Sequence, residues 1–171
     1  LPILFKTFAF PALTLLISII LAFLIIGPIA TFASDLLGAA FTALFNLNAT
    51  ISGFLYGALI QVCVMFGVHW GFVAISVNNL ATLGYDPITI AGLASAFGQA
   101  GVVLMIMLRT KNKKLKSVCG PAIISAMVGI TEPSIYGVTL QFKKPFMLAC
   151  LASGIGGAII GFGGVKQYVY G

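Results

Sequence analysis

Two side chains in this sequence are suited to moving a proton or holding a hydroxyl: His69, its one histidine, and Glu132, its one glutamate. Glu132 stands in Gly129-Ile-Thr-Glu-Pro133, with no other charge between Lys116 and Lys143. An acidic residue at the centre of a membrane helix costs roughly 2.5–3.5 kcal/mol on insertion scales, so it persists where a partner or a function offsets that cost. The expectation is a buried polar group that binds a small substrate and acts as a general base. A solvated carboxylate in a surface loop is the plainer alternative. His69 lies between Gly67 and Gly71 and beside Trp70, the one tryptophan, with Asn78 and Asn79 downstream. A lone histidine more often packs with one nitrogen satisfied than binds a ligand. No second His or Cys stands near it at metal-ligand spacing, so no metal site is expected. A flat aromatic face together with amides is what a sugar ring needs. Gln99 and Gln141 either join such a polar site or bond a helix backbone.

Other motifs carry less. Gly154-Ile-Gly-Gly-Ala-Ile-Ile-Gly161 resembles a phosphate loop only superficially, since no Lys-Ser/Thr follows it. Close helix packing accounts for it better. Cys63, Cys119 and Cys150 are odd in number and widely spaced, which argues against a disulfide framework or a zinc site and for small buried hydrophobes. No Ser-His-Asp arrangement can be built, because Asp35 and Asp86 both lie at segment ends. No cofactor is expected.

The elements that must position these residues are set by the solvent. Hydrophobic residues make up 60% of the 171 and charged residues 7%, against roughly 25% charged in a soluble domain. Such a chain covers a lipid-facing surface and not a water-facing one. Its net charge of +6 is concentrated, five of nine cations falling within Arg109–Lys116. That reads as a cytoplasmic loop under the positive-inside rule, and nucleic-acid binding is excluded for want of a polar surface. A start at Leu1 with no cleavable leader pattern reads as one compact unit excised from something longer.

About 20 apolar residues cross the hydrocarbon core. The uncharged run from Thr7 to Ser34 is long enough, with Gly27-Pro28 expected to break it near its end. A short helix over Leu36–Leu47 follows Asp35, lying at the interface or continuing the first helix past a kink. Ile51–Phe66 carries Gly53 and Gly57 four apart, a spacing that lets membrane helices approach closely. Ile88–Leu108 and Pro145–Val165 are further spans. Ser117–Gln141 is apolar but cut by Gly-Ile-Thr-Glu-Pro, and neither half can cross. The prediction is an all-α integral membrane bundle of three or four spans with two re-entrant or broken helical hairpins, one around His69 and one around Glu132. Irregular backbone at membrane depth survives only against protein or a wet cavity, and interrupted helices are how transporters build midplane sites.

Gly129-Ile-Thr-Glu-Pro-Ser-Ile-Tyr-Gly-Val138 resembles the signature of the sugar-transporting enzyme IIC domain of the bacterial phosphoenolpyruvate-dependent phosphotransferase system, glucose superfamily. Phe66-Gly-Val-His-Trp-Gly-Phe72 and Asn78-Asn-Leu-Ala-Thr-Leu-Gly-Tyr-Asp86 are similar to its β-glucoside branch. A second histidine in place of Trp70 is the tendency in sucrose and trehalose relatives. The resemblance implies that residues 1–171 are the C-terminal part of one transmembrane enzyme IIC domain. Such a domain carries sugar across the bacterial inner membrane while a partner domain, enzyme IIB, phosphorylates its 6-hydroxyl from a phosphocysteine. It implies two re-entrant hairpins and a homodimer in the lipid bilayer. It places the family's glutamate on Glu132 and its histidine on His69, both against the sugar near the reacting hydroxyl. Trp70, Asn79, Gln99, Thr131 and Pro133 are the further substrate-binding candidates. The phosphocysteine motif is absent, so the fragment alone is not expected to phosphorylate sugar. Two other classes stay open: a proton-driven secondary sugar transporter working through Glu132, and a non-transporting receptor or scaffold with a relic site.

Overall fold

A computed structural model describes residues 2–170, and their side chains apart from those of 2–8 and 34. Leu1 and Gly171, the limits of the expected domain, lie outside the described residues. Helices α1 (Pro2–Leu21) and α2 (Gly27–Leu47) are joined by a π-turn, Ala22–Ile26. Helix α3 is Ala49–Met65, α4 is Trp70–Leu83, and α5, entered through a 3-10 turn at Thr89–Gly92, is Leu93–Arg109. Helix α6 is Lys113–Met127, α7 is Glu132–Ser134 running into a π-turn at Ile135–Thr139, and α8 is Lys143–Phe162. Among the described residues three helical stretches are long and apolar enough to cross a membrane: Ala9–Leu47, Thr89–Arg109 and Lys143–Phe162. The all-α membrane class is as expected.

Gly27-Pro28 does not break the first helix. Pro28 cannot donate to the carbonyl four residues back, and the chain answers by widening one turn, with the Gly27 N–H donating to the Ala22 carbonyl five residues back. A Cβ on Gly27 would sit 3.0 Å from that same oxygen. The helix therefore runs on through Asp35, which opens nothing, and of the two readings of 36–47 the continuous one holds. The 39 residues of Ala9–Leu47 extend about 58 Å at 1.5 Å per residue, well beyond a hydrocarbon core of about 30 Å. Residues 10–26 are exposed throughout. The basic segment is shorter as a loop than its charge pattern implies, because α6 already begins at Lys113, with the Asn112 side chain accepting from the Lys114 and Leu115 amides.

The bundle is organised around α3 against α8. Gly53 and Gly57 face Ser153, Gly157 and Gly161 so closely that a Cβ on Gly53 would overlap the Gly157 carbonyl oxygen, and one on Gly157 the Gly53 carbonyl oxygen. Packing of this kind replaces the hydrophobic driving force that lipid cannot provide. Helix α5 lies along both α8 and α6. One apolar cluster joins Phe41 of α2, Tyr56 and Ile60 of α3 and Phe72 of α4. Its rings pack edge to face, Tyr56 to Phe72 at 4.9 Å and Phe41 to each of them at 5.4 Å. A second cluster, Val103, Cys119, Ala122 and Val138, fixes the α6–α7 hairpin to α5.

Gly157→Val forces a side chain into backbone that cannot yield. It is expected to destabilise the full-length protein by about 3 kcal/mol, the upper part of the overpacking range, measured as thermal unfolding in detergent. An unchanged melting temperature would show that α3 and α8 do not meet through these glycines.

Candidate functional site

The Gly129-Ile-Thr-Glu-Pro133 segment is a helix stop followed at once by a helix start. Gly129 takes φ +90°. Its N–H donates to the Ala126 carbonyl at 2.9 Å and the Ile130 N–H to the Ser125 carbonyl at 3.0 Å, the paired bonds that end a helix on a left-handed residue. The Ser125 hydroxyl donates to the Ile130 carbonyl at 2.9 Å and stiffens the turn. Thr131 then takes the N-cap position of α7 without a side-chain capping bond, and Glu132 and Pro133 form its first turn, where an acid is favoured by the helix dipole and proline lacks no bond it would have made. The motif thus presents Glu132 on a tight reversal between two short helices.

Those helices are held from behind by polar bonds made by buried side chains. The Ser134 hydroxyl donates to the Ala122 carbonyl at 2.8 Å. Thr139 donates to Gln99 Oε1 at 3.1 Å. Gln99 Nε2 donates to Gln61 Oε1, and Gln61 Nε2 donates to Ser153 Oγ at 2.6 Å. All of these side chains are buried. Gln99 is therefore a structural link between α3, α5 and the hairpin. Gln141 donates to the Gly137 carbonyl at 2.8 Å, bonding its own backbone.

The other polar break is the turn from α3 to α4, with Gly67 at φ +73°. Tyr136, four residues beyond Glu132, reaches this turn: its hydroxyl donates to the Met65 carbonyl at 3.2 Å. The result is that His69 Nε2 stands 4.0 Å from Glu132 Oε1. The two line one cleft of about 550 Å³, together with Thr131, Gly129, Tyr56, Phe72 and the residues Gln167, Val169 and Tyr170 beyond α8. That size suits a small ligand. Glu132 is not sealed in: its side chain is 44% exposed against 20% for His69, because it opens onto the cleft. The gap between the two is too long for a direct hydrogen bond, and a hydroxyl oxygen at about 2.8 Å from each would close it.

The remaining candidates separate. Thr131 is in the cleft. Pro133 shapes the start of α7 and does not line the cleft. Trp70 lies obliquely beside His69 at 5.4 Å, does not line the cleft and is 68% exposed. Asn79 donates to Asp86 Oδ1 at 2.9 Å and is part of a different construction. Asp86 is buried and receives that amide, the Ile88 N–H at 3.1 Å, the Thr89 N–H at 3.2 Å and the Thr89 hydroxyl. Burial alone would raise its pKa; the bonds from Thr89, Asn79, Ser76 and Ile88 outweigh burial and hold it below the ordinary range.

The family model described as the phosphotransferase system EIIC domain matches residues 1–154. The chain belongs to that family. It is 46% identical over 97% of its length to a β-glucoside-specific EIIBCA component of Halalkalibacterium halodurans, and 41% identical over 97% to one of Dickeya chrysanthemi, in each case covering 26% of the relative. A sucrose-specific EIIBC component of Bacillus subtilis is 31% identical over 94% of the chain. The chain spans about a quarter of the length of the first two of these relatives. No solved structure matches it.

In this EIIC chain the places of Tyr136, Gln61 and the residues Gln167, Val169 and Tyr170 beyond α8 carry no signal in the sequence. Tyr136 lies inside the Gly129–Val138 motif, but nothing in the spacing says which backbone carbonyl its hydroxyl meets. The His69 ring sits with Nδ1 buried and unpartnered. Burial pushes its pKa below the ordinary range, and the Glu132 carboxylate opposes that shift. The neutral ring is the form the fold favours, so this contribution to stability is present above about pH 6.5 and is lost as pH falls below it. Thermal stability of the full-length protein is expected to drop as pH falls below about 6.5, and His69→Gln is expected to remove that part of the drop. An identical pH profile in the variant would contradict the assignment.

Proposed function

We propose that this chain forms the sugar-holding part of a phosphotransferase-system permease in the bacterial inner membrane, with a β-glucoside as its substrate. The observation that supports the reading best is Glu132 facing His69 at 4.0 Å across an open cleft, each on its own break between helices. The best-matched relatives named above are described as β-glucoside-specific, which favours that sugar class over sucrose.

In the proposed reaction the sugar's 6-hydroxyl lies between Glu132 and His69. Its oxygen attacks the phosphorus of a phosphocysteine on a partner EIIB domain, so that an O–P bond forms, the S–P bond breaks and the thiolate leaves. Glu132 takes the hydroxyl proton as charge develops, and neutral His69 orients the oxygen through Nε2–H. Phosphoryl transfer asks for positioning and charge stabilisation more than for covalent help. Thr131, buried beside Glu132 in the cleft wall, contacts the sugar. The α6–α7 hairpin and the α3–α4 turn are re-entrant and move together to alternate access, within a homodimer, and the cationic segment 109–116 faces the cytoplasm where the EIIB domain arrives.

In membrane vesicles carrying the full-length protein and its phospho-donor chain, Glu132→Gln is expected to lower sugar phosphorylation about 100-fold or more, the low end of general-base contributions. Phosphorylation that survives the substitution would overturn the catalytic role. Free sugar accumulating with the proton gradient, with no phospho-donor present, would favour the proton-coupled alternative instead.

A further inference from the structure

The cleft has a wall that the helices do not supply. Helix α8 ends as α6 does, with Gly164 at φ +59°, its N–H on the Gly161 carbonyl at 3.2 Å and the Val165 N–H on the Ile160 carbonyl at 3.3 Å. The chain is thereby turned back, and the segment 165–170 runs beside the loop between α4 and α5. Gln167 and Asp86 exchange both backbone bonds, at 2.7 and 2.9 Å. The Lys166 ammonium lies 4.0 Å above the Tyr85 ring, and Tyr85 meets Tyr168 at 6.4 Å. Asp86 is itself immobilised by the four donors described above, so the strap is attached to a fixed point. Its Gln167, Val169 and Tyr170 border the same cleft as Glu132 and His69.

A pyranose needs a flat apolar surface as well as hydroxyl partners. Trp70 does not provide one inside the cleft. Tyr56 and Phe72 line it but are 4% and 3% exposed, their rings engaged with each other and with Phe41. Tyr170 also lines it and is 48% exposed. We propose that Tyr170 is a substrate-contacting residue, its ring stacking on the apolar face of the glycoside. The inference rests on the reading of the cleft as the sugar site.

The test uses the full-length protein in vesicles with its phospho-donor chain and methyl β-glucopyranoside as substrate, whose aglycone carries no ring. Tyr170→Leu keeps apolar bulk and removes the flat face: KM is expected to rise about tenfold with kcat held within about twofold. Tyr170→Phe keeps the face, and its KM is expected to stay within about twofold of the parent. A KM for the Leu variant that matches the parent overturns the inference, as does a Phe variant as impaired as Leu, or a loss confined to kcat. A second measurement covers a Leu variant that fails to insert. In Tyr170→Cys, the sugar is expected to slow maleimide labelling at position 170, and labelling indifferent to sugar overturns the inference. The Glu132→Gln result is separate: phosphorylation surviving there overturns the catalytic reading, whereas loss there with an unchanged KM in Tyr170→Leu overturns this inference alone.

Discussion

The close crossing of α3 and α8 is the constraint on which the rest depends. Glycines at 53, 57, 157 and 161 let two backbones touch, and only at that separation can Gln61 on one helix donate to Ser153 on the other at 2.6 Å. Gln61 in turn accepts from Gln99, and Gln99 accepts from Thr139. A buried amide left without a partner in an apolar interior costs about 1–3 kcal/mol. This network is closed, so it fixes the arrangement of α3, α5, α8 and the hairpin instead of loosening it.

The site is built on that frame from two failures of helix continuity. Gly129 and Pro133 make one, Gly67 the other. Each break exposes a polar residue that an unbroken helix would have aimed into lipid or into packed side chains. Tyr136 joins them through the Met65 carbonyl, and the result is an acid and an imidazole facing one cavity. Pro28 shows the contrasting outcome. With Gly27 beside it and no polar residue to present, the chain widens one turn and continues.

Composition and the spacing of polar breaks made the membrane class, the spans at Thr89–Arg109 and Lys143–Phe162 and the packing glycines legible. The pairing of His69 with Glu132 was legible only as two anomalies in one apolar chain. The places of Trp70, Asn79 and Gln99 were not, because a side chain's type says what it can bond and not which way the helix turns it. Asn79 is directed at Asp86, and Gln99 bonds Gln61 and Thr139, 38 and 40 residues away along the chain. The strap beyond α8 was invisible for the same reason: a backbone pair between Asp86 and Gln167 has no side-chain signature.

In the proposed reaction sugar lies between His69 and Glu132. A structure of the full-length protein with a β-glucoside bound and no phosphate donor present tests it most directly. The pyranoside is expected in the cleft, with its 6-hydroxyl oxygen at about 2.8 Å from Glu132 and from His69 Nε2. A sugar bound elsewhere, or one whose 6-hydroxyl points away from both residues, would contradict it.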